Sequence, residues 1–199
     1  MATFNEPELV LLRQWTDARL LEDSMAAVRN KYKGIWEHVI EEARKNHREL
    51  DSFKMKIGSD YGGAGIGKTL WPKSNGWPSG FYIERVRLDN LASPEEESPC
   101  KYLWLFQPSI DPEEVVTKLL KTAEEFLSKE ELKRAEPGHR ENEASLRFPL
   151  EQSQKELLEL LTRNEASGFI ECMVDHFDWM AKFAGVLDEM LTPSKRGPS

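Results

Sequence analysis

Residues Gly62 to Pro78 read GGAGIGKTLWPKSNGWP, and how this stretch is read decides the fold. Its first eight residues match the phosphate-binding pattern G-x-x-x-x-G-K-[ST]. Such a loop works by delivering a glycine turn from a buried strand onto a helix N-terminus, where free amides and the helix dipole cradle phosphate. On that reading Gly62, Gly67, Lys68 and Thr69 would hold a nucleotide. The residues that follow oppose it. Pro72, Pro78 and the Asn75-Gly76 turn signal fall within nine positions of Leu70, and no helix runs through them. No strand of four apolar residues ending in Asp supplies a partner motif; Val86-Arg87-Leu88-Asp89 is the nearest and is broken by charge. The stretch therefore reads as a glycine loop followed by a tight reversal between strands.

Working outward, the strands follow one another through short connections, which predicts an antiparallel sheet. Phe53, Met55 and Ile57 alternate with Lys54 and Lys56 as in a half-solvated strand. Gly80 to Leu88 (GFYIERVRL) is a second strand. Lys101 to Gln107 (KYLWLFQ) is a continuous apolar run suited to a central strand buried on both faces. Residues 133–144 read as a charged linker, and Leu146 to Leu150 as a short edge strand ended by Pro149. Helices flank this region. Leu21, Met25, Val28, Tyr32, Ile35 and Val39 step 4-3-4-3-4 along one face of a long helix. Ser109 or Asp111 can cap a helix that starts at Pro112. Phe169, Met173, His176, Met180, Phe183, Leu187 and Met190 repeat the alternating spacing in a last long helix. The expected fold is α+β, an antiparallel sheet of about four strands packed with long N- and C-terminal helices. The expected organisation is a helical segment over 1–50, an α+β domain over 51–192 closed by the C-terminal helix, and a disordered tail over 193–199. The two long helices can pack on each other within the chain or form a homodimer seam; the abundance of Trp and Phe widens the stripes and favours intrachain packing.

Composition narrows the function. Net charge is −8, from 35 acids against 27 bases, which opposes general binding to a DNA backbone. The charge is uneven: Ser52 to Leu88 carries Lys54, Lys56, Lys68, Lys73, Arg85 and Arg87 against Asp60 and Glu84, a local +4, leaving −12 elsewhere. No apolar run approaches the ~20 residues that span a bilayer, so no membrane partner is expected. The opening residues show no basic stretch leading into an apolar core, so no signal peptide is read. Cys100 and Cys172 match no metal spacing, and two thiols suggest a reducing, cytoplasmic setting.

Candidate sites follow from this. Trp71 and Trp77, with Lys73, Arg85 and Arg87, combine aromatic and basic groups on one hairpin, a surface suited to a protein partner or to nucleic acid; the opposing reading folds both indoles back over the sheet. Cys172 and His176 lie one helical turn apart, but zinc needs about four ligands and no second Cys/His pair is present, so His176 reads as a hydrogen-bonded core residue. No metal and no cofactor are expected. A PD-(D/E)xK nuclease set requires an acid two residues before a Lys on a strand; Glu84 is followed there by Val86 and Glu97 by Pro99. No G-x-S-x-G elbow is present. The acidic runs Glu95 to Glu97, Glu124-Glu125 and Glu130-Glu131 read as solvated faces and caps.

The stretch LWPKSNGWPSGFYIERVRL (70–88), the strand KYLWLF (101–106), a capped helix and a final helix bearing Phe169, Phe177, Trp179 and Leu187 together resemble a known region. They are similar to the non-catalytic C-terminal region of some phage- and defence-associated PD-(D/E)xK nuclease-superfamily proteins, where a Trp-rich hairpin precedes a strand of the same type. The resemblance covers roughly residues 50 to 190. It implies a bacterial or phage accessory domain linked to nucleic-acid conflict, and no catalytic residue carries over because the nuclease motif is missing. The expected function is a non-enzymatic protein-interaction module or accessory subunit. The alternatives are a nucleotide-binding enzyme using Gly62–Thr69 and a nucleic-acid-binding module using the basic hairpin.

Overall fold

The structure is a computed structural model, and residues 5–48, 50–52, 64–74, 77–88, 91, 98–108 and 110–191 are described. The elements run α1 (Glu6–Arg13), α2 (Trp15–Asn46), β1 (Asp51–Ser52), β2 (Ala64–Gly67), β3 (Lys73–Ser74), β4 (Trp77–Pro78), β5 (Gly80–Glu84) and β6 (Cys100–Phe106). Then come α3 (Pro112–Ala123), α4 (Lys129–Lys133), β7 (Glu136–Arg140), β8 (Glu143–Pro149), α5 (Gln154–Thr162), α6 (Ser167–Ala181) and α7 (Ala184–Leu191). The fold is α+β, as the alternating strand and helix periods predict.

The sheet is antiparallel throughout, in the order β1-β2-β5-β6-β8-β7, with β3 and β4 forming a separate two-stranded ribbon. Six described strands replace the expected four or so. Ala64–Gly67, which reads as part of a glycine loop, is instead the buried strand β2 paired with β5. The strand at the far edge, β7, lies in what reads as a charged linker: Glu136-Pro137-Gly138-His139-Arg140 has no apolar alternation, because an exposed edge strand needs none. Its hairpin with β8 moves the Leu146–Leu150 segment inward, so β8 is not an edge. The expected strand over Phe53–Ile57 lies outside the described residues, as does the tail 193–199.

Register fixes the two faces of the sheet. Phe81 pairs with Leu103 and Leu103 with Leu146, placing Ile66, Phe81, Ile83, Leu103, Leu105, Leu146 and Phe148 on one face. All are buried in the main core under the helices. The opposite face carries Tyr82, Tyr102, Trp104 and Phe106, with Tyr82 and Tyr102 stacked at 5.3 Å. β6 is thus central and buried on both sides. β5 stops at Glu84 because Arg85 takes a left-handed backbone (φ 64), which no strand continues through.

Helix α3 starts where Asp111 caps it, its carboxylate accepting from the Glu113 amide at 2.9 Å, with Pro112 in the first turn. Ser109 lies outside the described residues. The last long helix is broken. Asn164, Glu165 and Ala166 form a left-handed turn before α6, and a tight turn at Lys182–Phe183 separates α6 from α7. The apolar stripe nevertheless continues across the break: Phe169, Met173, Phe177, Met180, Phe183, Leu187 and Met190 are all buried. The C-terminal half of α2 packs on α6, with the Trp36 ring edge-on to Phe169 at 5.6 Å and His47 bonded to Asp178 at 2.8 Å. This half of α2 therefore shares one core with the sheet, and the intrachain packing of the two long helices is realised there.

Candidate functional site

The apolar stripe of α2 is divided. Tyr32, Trp36, Val39, Ile40 and Ala43 are buried in the common core. The same face continues toward the N-terminus through Val28, Met25 and Leu21, and these remain 52 %, 46 % and 63 % exposed. Leu20 and Trp15 widen the patch. From Trp15 to Lys31 the helix has no buried residue, and only Ala18 is partly covered. At 1.5 Å per residue this arm projects roughly 25 Å beyond the body. An isolated helix in water gains little from propensity alone, and helices are held mainly by packing of an apolar face. The arm presents such a face to solvent.

The residues singled out in the sequence are distributed differently. Gly62 lies outside the described residues. Gly67 ends a buried strand, and the chain then enters a turn in which the Trp71 amide donates to the Lys68 carbonyl at 3.0 Å. No helix begins there, so no dipole points at an anion beside Lys68 or the exposed Thr69. The Lys68 ammonium is paired with the Asp188 carboxylate on α7 and lies 5.8 Å from the Trp71 ring. Trp71 is buried, with 3 % exposure, its ring edge-on to Phe81 and its Nε1 donating to Asp188 Oδ1 at 2.9 Å. It is a core residue and leaves the expected contact surface: a neutralised Lys68–Asp188 pair lets the indole close over the sheet. Lys73 is exposed on β3, Trp77 stands in β4, and Arg85 and Arg87 are half-buried.

Two polar clusters are assembled by the fold from residues far apart in the sequence. On the far face of the sheet, a cavity of about 490 Å³ lies over β6, β8 and β7, lined among others by Glu84, Tyr102, Trp104, Arg140 and Arg147. Glu84 is buried and accepts from the Tyr102 hydroxyl at 2.6 Å; burial raises its carboxyl above the usual range, partly offset by that bond. Arg147 lies 5.5 Å from the Tyr102 ring and 3.9 Å from Glu136. The charges alternate in sign, so the cavity presents no single-sign field. On the helix face, Lys101 and His176 are buried together beside Gln152 and Cys172. Their i, i+4 spacing on α6 marks Cys172 and His176 in the sequence, but Lys101 is hidden inside an apolar run. Among the described residues no group of three or more His, Cys, Asp or Glu could hold a metal, and no helix is long and apolar enough to cross a membrane.

No family model, no curated protein and no solved structure matches this chain. The functional reading therefore rests on its own geometry.

Proposed function

We propose that this chain is a protein-interaction module that pairs with a second copy of itself through the arm of α2. The observation that supports it is the divided stripe: one continuous apolar face, sealed over its C-terminal half and bare from Leu21 to Val28. Charge favours a second copy in antiparallel orientation. Glu22 follows Leu21 as Arg29 follows Val28, so the two flank the stripe on the same side, and Asp17 lies on the other flank. Parallel pairing sets opposite flanks against each other and brings Asp17 against Glu22 of the second copy, a like-charge contact. Antiparallel pairing sets Glu22 against Arg29, twice by symmetry.

Sedimentation of the whole chain tests this. The expected result is a concentration-dependent species of twice the 22.9 kDa chain mass. A monomer at every concentration rejects the self-association.

A further inference from the structure

Successive side chains of β6 point to opposite faces, and Lys101 falls on the helix-covered one, between Ile83 of β5 and Phe148 of β8. Packing there calls for an aliphatic residue; the chain buries an ammonium instead. Its Nζ lies 3.2 Å from Glu151 Oε1, 3.3 Å from His176 Nδ1 and 4.1 Å from the centre of the Trp179 ring. A lysine donating to Nδ1 fixes the histidine tautomer, so His176 Nε2 carries the proton and donates to Gln152 Oε1 at 2.9 Å. Cys172 Sγ lies 3.8 Å from that same Nε2.

These groups line a cavity of about 450 Å³ whose walls include Leu160 and Trp179 and whose rim carries Glu151, Glu171 and Asp175. The acidic rim repels anions, and the buried cation at the base repels cations, so the cavity suits a small neutral molecule. Burial pushes the Lys101 ammonium below the usual lysine range, with Glu151 opposing the shift. Burial and the adjacent ammonium push His176 down to about 4, so the imidazole is neutral near pH 7. A buried polar cluster of this kind inside an apolar helix–sheet layer costs several kcal/mol of desolvation per ion, and such clusters concentrate at functional sites.

The geometry points to Lys101 as a nucleophilic amine that captures a small neutral aldehyde or ketone in this cavity as a protonated imine. Glu151 takes a proton from the ammonium, and the freed lone pair adds to the carbonyl carbon. The C=O π bond opens to a carbinolamine, whose oxygen receives protons from the nitrogen by way of Glu151. Water leaves, and the C=N bond forms with its nitrogen protonated. Ammonium plus carbonyl thus gives iminium plus water, with atoms and charge balanced and no oxidant required. His176 and Gln152 orient the amine.

The test is reductive labelling of the whole chain with propionaldehyde and cyanoborohydride at neutral pH, followed by peptide mapping. Lys101 is expected to take up a propyl group before the exposed Lys45, Lys118 and Lys133. The excess is about tenfold for each pH unit by which the amine is lowered. Lys101→Met is expected to lose this fast label, and Glu151→Gln to slow it while the protein stays folded. A lysine that only fills the layer would label last. Lys101 labelling no faster than the exposed lysines, or a fast label that persists in Lys101→Met, overturns the proposal; the first result needs no variant to fold.

Discussion

Replacing Met25 by Glu puts a carboxylate at the centre of the bare stripe, and the consequence can be worked from the exposures. Met25 is 46 % exposed, so pairing can still bury about half of a side chain whose full burial stabilises by ~1.5–3 kcal/mol. That is about 1 kcal/mol per copy and, by two-fold symmetry, about 2 kcal/mol per dimer. At 1.4 kcal/mol per tenfold, the dimer dissociation constant should rise about 30-fold from lost burial alone. Desolvation of two carboxylates adds to this. Leu21, Met25 and Val28 together offer about 6 kcal/mol by the same reckoning, against the unfavourable entropy of association. With association costing ~4 kcal/mol or more, the native dimer should be weak, with a dissociation constant in the millimolar range or above, and sedimentation velocity should span concentrations into the millimolar range. Met25 lies outside the core cluster, so the melting temperature of the body should stay within a degree or two of native in the monomeric variant. The reasoning is refuted if Met25→Glu sediments like the native chain at every concentration, or if the variant unfolds.

Trp71→Ala should destabilise by ~3–5 kcal/mol in urea unfolding, because it empties a core site against Phe81; a change below 1 kcal/mol would return the indole to the surface. Nucleotide with magnesium should leave the thermal midpoint unmoved, since no helix follows Gly67, and a shift removed by Lys68→Ala would contradict that geometry. His176 is held neutral in the folded state, so the unfolded chain gains its proton first as pH falls: stability is full above the unfolded value of ~6.5 and is lost down to about 4, by ~3 kcal/mol. Chemical denaturation at stepped pH should show that loss, and His176→Asn should remove it. Glu84 shows the opposite sign: its raised carboxyl favours the protonated form in the fold, so its contribution is full below the usual carboxylate range and lost as pH rises. Glu84→Gln, which retains an acceptor for Tyr102, should be more stable than the native chain at pH 8 and lose that advantage in acid.

What the sequence made legible was periodicity. KYLWLFQ names the central strand because an uninterrupted apolar run is what burial on both faces requires. Asp111-Pro112 names a helix start because a cap and a preset φ are local chemistry. The antiparallel order follows from short connections. β7 escaped because an exposed edge carries no apolar pattern, and its Pro and Gly argue for a turn. The break at Lys182 escaped because Phe183 and Leu187 keep the stripe going across it. The candidate site escaped for a different reason. Leu21 and Val39 obey one spacing, yet one is bare and the other sealed, and only the tertiary placement of α6 tells them apart. Trp71 misled because an indole beside lysine and proline suits a binding hairpin and a core lid equally, and it is Asp188, more than a hundred residues away, that selects the lid. Lys101 was hidden by its own neighbours, since alternation alone gives no hint that a cation is turned inward.

Hydrogen exchange read residue by residue over 15–31, at protein concentrations above and below the dissociation constant, tests self-pairing most directly. The expected result is protection of these amides at high concentration that vanishes on dilution, while 32–46 stay protected throughout. Amides of the arm that exchange at one rate at every concentration would contradict it.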